Sequence, residues 1–124
     1  MAVTITLQAD KTSLTAALND TPAARQLAGM LPIEVRMSRW GDEYYGSIGA
    51  TLPSSGDERD EMKIGEIAYW PPGRALCLFF GPTPASEGDE PRAASPVIPL
   101  GLIEGDAKLL AKLPGSVLVK VSAA

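Results

Sequence analysis

The sequence contains no histidine and a single cysteine, Cys77, and these two scarcities remove much of the usual catalytic machinery. Without imidazole there is no Ser-His-Asp or Cys-His pairing, no histidine zinc site and no imidazole base near neutral pH. Hydrolytic and metal chemistry are therefore not expected, and no cofactor or metal is. One cysteine cannot close an internal disulfide, which fits a reducing compartment. It stands in Leu76-Cys77-Leu78, an apolar setting that suits a buried thiol, whereas a reactive thiolate needs cationic, accessible surroundings. Basic blocks are missing too. Eleven Lys and Arg against 15 Asp and Glu leave a net charge of −4, with nothing to neutralise a phosphate backbone, so nucleic acid is not an expected partner. No run approaches the roughly 18 apolar residues of a membrane span, and Met1-Ala2-Val3-Thr4-Ile5-Thr6-Leu7 has no cationic leader region. A soluble, cytoplasmic protein without a membrane partner is expected.

What is present points to β structure. A chain of 124 residues is long enough for one ordinary core, so residues 1–124 are read as a single domain. Its 11 prolines and 12 glycines imply many turns and leave less room for helix. The densest apolar run, Ile64 to Gly81, is split by Pro71-Pro72-Gly73. Prolines lack a ladder donor and glycine admits positive φ, so the chain reverses there. In the second arm Ala75, Cys77 and Phe79 face one way and Leu76, Leu78 and Phe80 the other. Both faces are apolar and both must be covered, which places this hairpin in the middle of a sheet or barrel.

Along the chain, Val3, Ile5 and Leu7 alternate with polar residues as in a half-buried strand. Thr12 to Leu18 suits a second short strand or a helical turn, its β-branched content leaning towards strand. Thr21 caps a helix that Pro22 opens and Pro32 stops. Ile33, Val35 and Met37 alternate again, and Glu43 to Ala50 reads as a strand bent at its glycines. Ser54 to Glu61, with Asp57, Glu58, Asp60 and Glu61, reads as a solvated loop, as do Glu87, Asp89 and Glu90; neither group has the interleaving of a calcium loop. From Gly81 to Pro99 the prolines and glycines predict a long functional or mobile loop. Asp106 to Leu113 predicts a second short helix, and Val117, Val119 and Val121 a last strand. About eight short strands with two small helices form the pattern of a closed or nearly closed barrel. There is no internal repeat.

The succession Thr21-Pro22-Ala23-Ala24-Arg25, Leu31-Pro32, Gly65 to Gly73, Leu78-Phe79-Phe80-Gly81 and Pro99-Leu100-Gly101-Leu102-Ile103 resembles the small prokaryotic cyclophilin-like family across most of the chain. The resemblance implies a mainly β fold, a closed eight-stranded barrel flanked by two helices, and no particular reaction, since these family members are of unknown function. True cyclophilins are peptidyl-prolyl isomerases with an arginine in a Phe-His-Arg strand motif, and none of the arginines here stands in such a motif.

The candidate site is aromatic. Tyr44, Tyr45, Tyr69, Trp70, Phe79 and Phe80 are either barrel packing or the walls of a groove that holds a proline ring or small apolar ligand. Arg25, Arg74 and Arg92 are either surface charges or forked donors for a carbonyl or carboxylate. The expected ligand-binding set is Arg25, Tyr45, Tyr69, Trp70, Phe79 and Arg92. The ligand is a small molecule or a proline-containing peptide, held beside the central hairpin. Peptidyl-prolyl isomerisation is the alternative, needing only a desolvated pocket and a donor that weakens amide resonance. A non-catalytic interaction module, in the form of a homodimer, is the third reading.

Overall fold

Alternating apolar residues at Val3, Ile5 and Leu7 become strand β1 (Val3–Ala9), which turns at Asp10 and Lys11 into β2 (Thr12–Leu18). The segment that suited strand or helical turn is thus a strand. The computed structural model describes residues 3–54 and 56–124; Met1 and Ala2, from the segment read for a leader, and Ser55, from the acidic loop, lie outside them. Helix α1 (Pro22–Met30) follows, with the Thr21 hydroxyl accepting from the Ala24 amide and proline in its first turn. Ala23, Ala24 and Leu27 form its buried side. Then come β3 (Ile33–Arg39), β4 (Glu43–Ser47), β5 (Arg59–Glu61), β6 (Glu66–Trp70), a 3₁₀ turn (Pro71–Gly73), β7 (Ala75–Phe79), β8 (Arg92–Glu104), a 3₁₀ helix (Ala107–Lys112) and β9 (Ser116–Ala123).

The expected hairpin is β6 and β7, antiparallel with Trp70 opposite Ala75. It lies inside the sheet, since β7 also pairs with β4 and β6 with β8. The hydrogen-bonded order runs β2-β1-β9-β3-β4-β7-β6-β8 and returns from β8 to β2, a ring of eight strands, with β5 added beyond β8. The fold is mainly β.

Two sequence expectations are corrected. The segment from Gly81 to Pro99 is a loop only as far as Pro91, because Arg92 starts the 13-residue strand β8. Its two prolines sit where the ladders slip. Around Pro96 the β5 register jumps from Arg59 opposite Val97 to Glu61 opposite Arg92, and at Pro99 the β6 register shifts between Ile67 and Ala68. Proline is tolerated at such irregularities because no ladder donor is needed there. The acidic loop from Ser54 to Glu61 ends in β5, a strand rather than a solvated loop. The short helix expected from Asp106 to Leu113 is present as a 3₁₀ helix over Ala107–Lys112, capped by Asp106. The described residues hold nine strands, the eight of the ring and β5 outside it.

Two apolar clusters divide the faces of the hairpin. The main core takes Leu76, Leu78 and Phe80 together with Ile5, Leu18, Leu27, Met37 and Val121. The smaller cluster takes Cys77 and Phe79 with Met62, Ala68, Ala93 and Val97. Both faces of β7 are covered, as its sequence requires.

Candidate functional site

A cavity of about 250 Å³ opens over the smaller cluster. Trp40 enters it from the β3–β4 turn, Glu43 and Tyr45 from β4, Trp70 from the end of β6, and Ala93, Ala94 and Val97 from β8. Strand alternation explains the β4 contribution. Tyr44 is fully buried in the main core, so Glu43 and Tyr45 share the other face.

The β3–β4 turn is held from several sides. Arg39 bonds the Asp42 carboxylate at 2.8 Å and the carbonyls of Gly41 at 2.8 Å and Ala111 at 3.0 Å, and its guanidinium lies 5.1 Å from the Phe80 ring centroid. The Trp40 amide donates to the Glu43 carbonyl at 2.8 Å, and the Asp42 amide to the Pro82 carbonyl at 2.9 Å. Tyr44 stacks on Phe80 with centroids 5.7 Å apart, and its hydroxyl donates to the carbonyls of Leu113 and Pro114. Trp40 and Glu43 are therefore presented by a braced turn. Trp70 is pinned as well, its Nε1–H donating to Ser95 Oγ at 2.7 Å. A side chain at Gly73 would meet the Trp70 ring at 2.8 Å, so glycine leaves the indole its place.

Glu43 is the exceptional group. It is 4% exposed, and its Oε1 has no hydrogen-bond partner among the described residues. Burial pushes its carboxyl up from 4.5 to about 7, opposed by a hydrogen bond with Cys77. The Cys77 thiol is itself raised well above its ordinary range by burial first and the Glu43 charge second, which favours the thiol over the thiolate. Near neutrality, then, the cavity offers one carboxyl that either donates or accepts, among aromatic and aliphatic walls.

The six expected residues separate. Tyr45, 38% exposed, and Trp70 come together at the cavity. Phe79 is fully buried in the cluster beneath it. Tyr69 is fully buried in the main core, its hydroxyl donating to the Ala50 carbonyl at 2.8 Å. Arg25 is on α1, paired with Asp20 at 2.5 Å, and is not among the residues of the cavity. Arg92 adjoins Ala93 but is occupied by carboxylates: Asp60 and Glu90 at 3.0 Å, Glu61 at 3.5 Å and Glu87 at 3.9 Å. Two acidic segments read as separate loops thus meet on one arginine. Glu90 also accepts from the amides of Glu87 and Gly88, and these bonds with Arg92 hold its carboxyl down at about 2.

Sequence reasoning missed Glu43, Trp40 and the β8 wall. For Glu43 the signal existed: if Tyr44 is core, Glu43 falls on a face that the all-apolar β7 says is covered. The β8 wall was hidden by its prolines.

A second hollow, about 280 Å³, lies at the β2–β8 seam near Asn19, Arg59, Lys63 and Glu66. Its buried carboxylate is satisfied, since Glu66 takes two bonds from Arg59, at 2.6 and 2.8 Å, and one from the Lys63 amide at 2.8 Å. No group of three or more His, Cys, Asp or Glu among the described residues is arranged to hold a metal ion, and none of their helices is long and apolar enough to cross a membrane.

Fold and site together define a mainly β protein whose eight-strand ring carries a small, aromatic-walled cavity over a secondary apolar cluster. Residues 1–122 match the family described as cyclophilin-like, and the chain belongs to that family. It is similar to the solution structure of the hypothetical protein AF2241 from Archaeoglobus fulgidus, with a TM-score of 0.83 and 30% identity over 99% of this chain and 95% of that one. No curated protein matches.

Proposed function

We propose that this protein binds a small molecule in the cavity beside the central hairpin, with Trp40, Tyr45 and Trp70 as walls and Glu43 as the polar anchor, and without hydrolytic or metal chemistry. In this reading the eight-strand ring is a closed barrel acting as the scaffold, in a cytoplasmic setting. The supporting observation is the buried Glu43 Oε1 without a partner at the edge of an apolar cavity. A buried polar atom left unsatisfied costs on the order of 1–3 kcal/mol, a cost that a ligand's polar group removes. Small-molecule sites combine apolar walls with few convergent polar groups in this way.

The test is a fragment screen by amide-shift NMR on the labelled protein. Binders are expected to move the indole resonances of Trp40 and Trp70, and Trp70→Leu is expected to abolish those shifts while the spectrum stays dispersed. Fragments that shift only residues remote from the cavity would sink the reading.

The second reading, a proline-containing peptide with prolyl isomerisation, is supported by the same aromatic walls. Against it, the cavity has a carboxyl where an arginine donor was expected, and Arg92 is held by four carboxylates. An Ala-Pro peptide followed by exchange NMR decides: accelerated cis–trans exchange with shifted cavity amides would replace the first reading by the second. The homodimer expectation is tested by solution mass.

A further inference from the structure

We propose that the ligand is a small organic cation, a protonated amine whose ammonium group is received by Glu43 among the rings of Trp40, Tyr45 and Trp70. This rests on the reading of the cavity as a small-molecule site. Three observations carry it. First, the one charged side chain lining the cavity among the described residues is acidic, it is only 4% exposed, and its Oε1 lacks a donor among them. An ammonium supplies both the missing donor and the missing countercharge. Second, two indoles and a phenol are the side chains whose negative ring faces attract cations. Third, no protein cation competes. Among the described residues no Lys or Arg lines the cavity, Arg39 is engaged by Asp42, Gly41 and Ala111, and Arg92 is one positive charge set against Asp60, Glu61, Glu87 and Glu90.

Size narrows the class. At about 250 Å³ the cavity is smaller than the roughly 300–1,000 Å³ of drug-sized sites, so the ligand is a small amine with an apolar body.

Binding is coupled to a proton. The Glu43 carboxyl titrates at about 7 in the empty site; as the ammonium enters, the O–H bond of Glu43 breaks and the proton leaves to solvent. The titratable groups beside it are Cys77 on β7, which stays a thiol through this range, and Tyr45 on β4; β6 contributes Trp70, and β8 contributes Ala93, Ala94 and Val97. Affinity therefore rises with pH by up to about tenfold per unit below 7 and levels off above it.

The experiment titrates three probes of nearly equal size, 2-phenylethylammonium, 2-phenylethanol and phenylacetate, into labelled protein at about pH 5.5 and about pH 8, values chosen to bracket the carboxyl. The readout is the two indole N–H resonances of Trp40 and Trp70. The ammonium is expected to bind about tenfold or more tightly at the higher pH, and the alcohol equally at both. Glu43→Gln, which keeps the shape, is expected to weaken the ammonium about tenfold, flatten its pH dependence and leave the alcohol unchanged; the wild-type pH comparison stands even if that variant does not fold. If the alcohol or the carboxylate binds as tightly as the ammonium at the higher pH, the cation assignment is overturned while the cavity survives as a small-molecule site. If no probe moves either indole, both fall.

Discussion

Glu43 is a carboxyl that the fold keeps partly unsatisfied, and its effect on stability has a definite sign. Its pKa is raised from 4.5 to about 7 by burial, so between those values the native state retains a proton that the unfolded chain has released. Stability accordingly falls as pH rises through that window, by roughly 3 kcal/mol in total if Glu43 acts alone. Urea unfolding at about pH 5 and about pH 8 measures this, and Glu43→Gln is expected to remove most of the difference by stabilising the protein at the higher pH. A variant with the wild-type pH profile would show that the cost lies elsewhere. Glu90 acts in the opposite direction: its lowered carboxyl, at about 2, contributes stability above 4.5 that is lost as pH falls towards 2. Gly73 is the other residue with a sharp expectation. Because an added Cβ would sit 2.8 Å from the Trp70 ring, Gly73→Ala should displace the indole from Ser95 and cost about 1–3 kcal/mol. An unmoved Trp70 indole resonance would contradict this.

Elements differ in how plainly the sequence announces them. The β6–β7 hairpin was legible because proline, glycine and an apolar run on both faces all agree. So was α1, from Thr21 and Pro22; Thr21→Ala is expected to cost about 1 kcal/mol in urea unfolding, through the lost bond to the Ala24 amide. Strand β8 was not legible, since Pro96 and Pro99 read as loop until the slipped registers of β5 and β6 show that no donor is required there. Strand β5 is three residues among like charges, and its pairing depends on a partner far along the chain. Of the candidate site, the tyrosine and tryptophan at 45 and 70 were visible as aromatics flanking the hairpin. Glu43 was not singled out, because an acid next to a turn ordinarily faces water. Arg92 was singled out as a ligand donor; in the structure its ion pairs with Glu90 and Asp60 tie the loop between β7 and β8 to β5. Arg92→Met should speed hydrogen exchange at the Glu87 and Gly88 amides while leaving the ring strands protected; unchanged exchange at those two amides would show that the loop holds without the arginine.

At the scale of the whole molecule the ring depends on the seam between β2 and β8. There Leu18 lies opposite Gly101, and a Cβ on Gly101 would strike the Ala17 carbonyl oxygen and approach the Leu18 Cα at 2.9 Å. Gly101→Ala is therefore expected to cost about 1–3 kcal/mol or more. It should also expose the Asn19 amide, which donates to the Leu100 carbonyl at 2.7 Å, to faster exchange. Full retention of that protection would mean the strands can separate enough to admit a methyl group.

One continuous strand, Arg92–Glu104, is both the cavity wall and the seam: Ala93, Ala94 and Val97 line the cavity, and Gly101 to Glu104 pair with β2. A residue inserted or deleted in this strand would shift everything after it by one place, turning core side chains outward. The wall can therefore diversify by substitution but not by change of length. Length variation is left to the loop that joins β7 to β8, residues 81–91, and a library that alters ligand preference should substitute at the wall positions while keeping the spacing from Arg92 to Glu104 fixed.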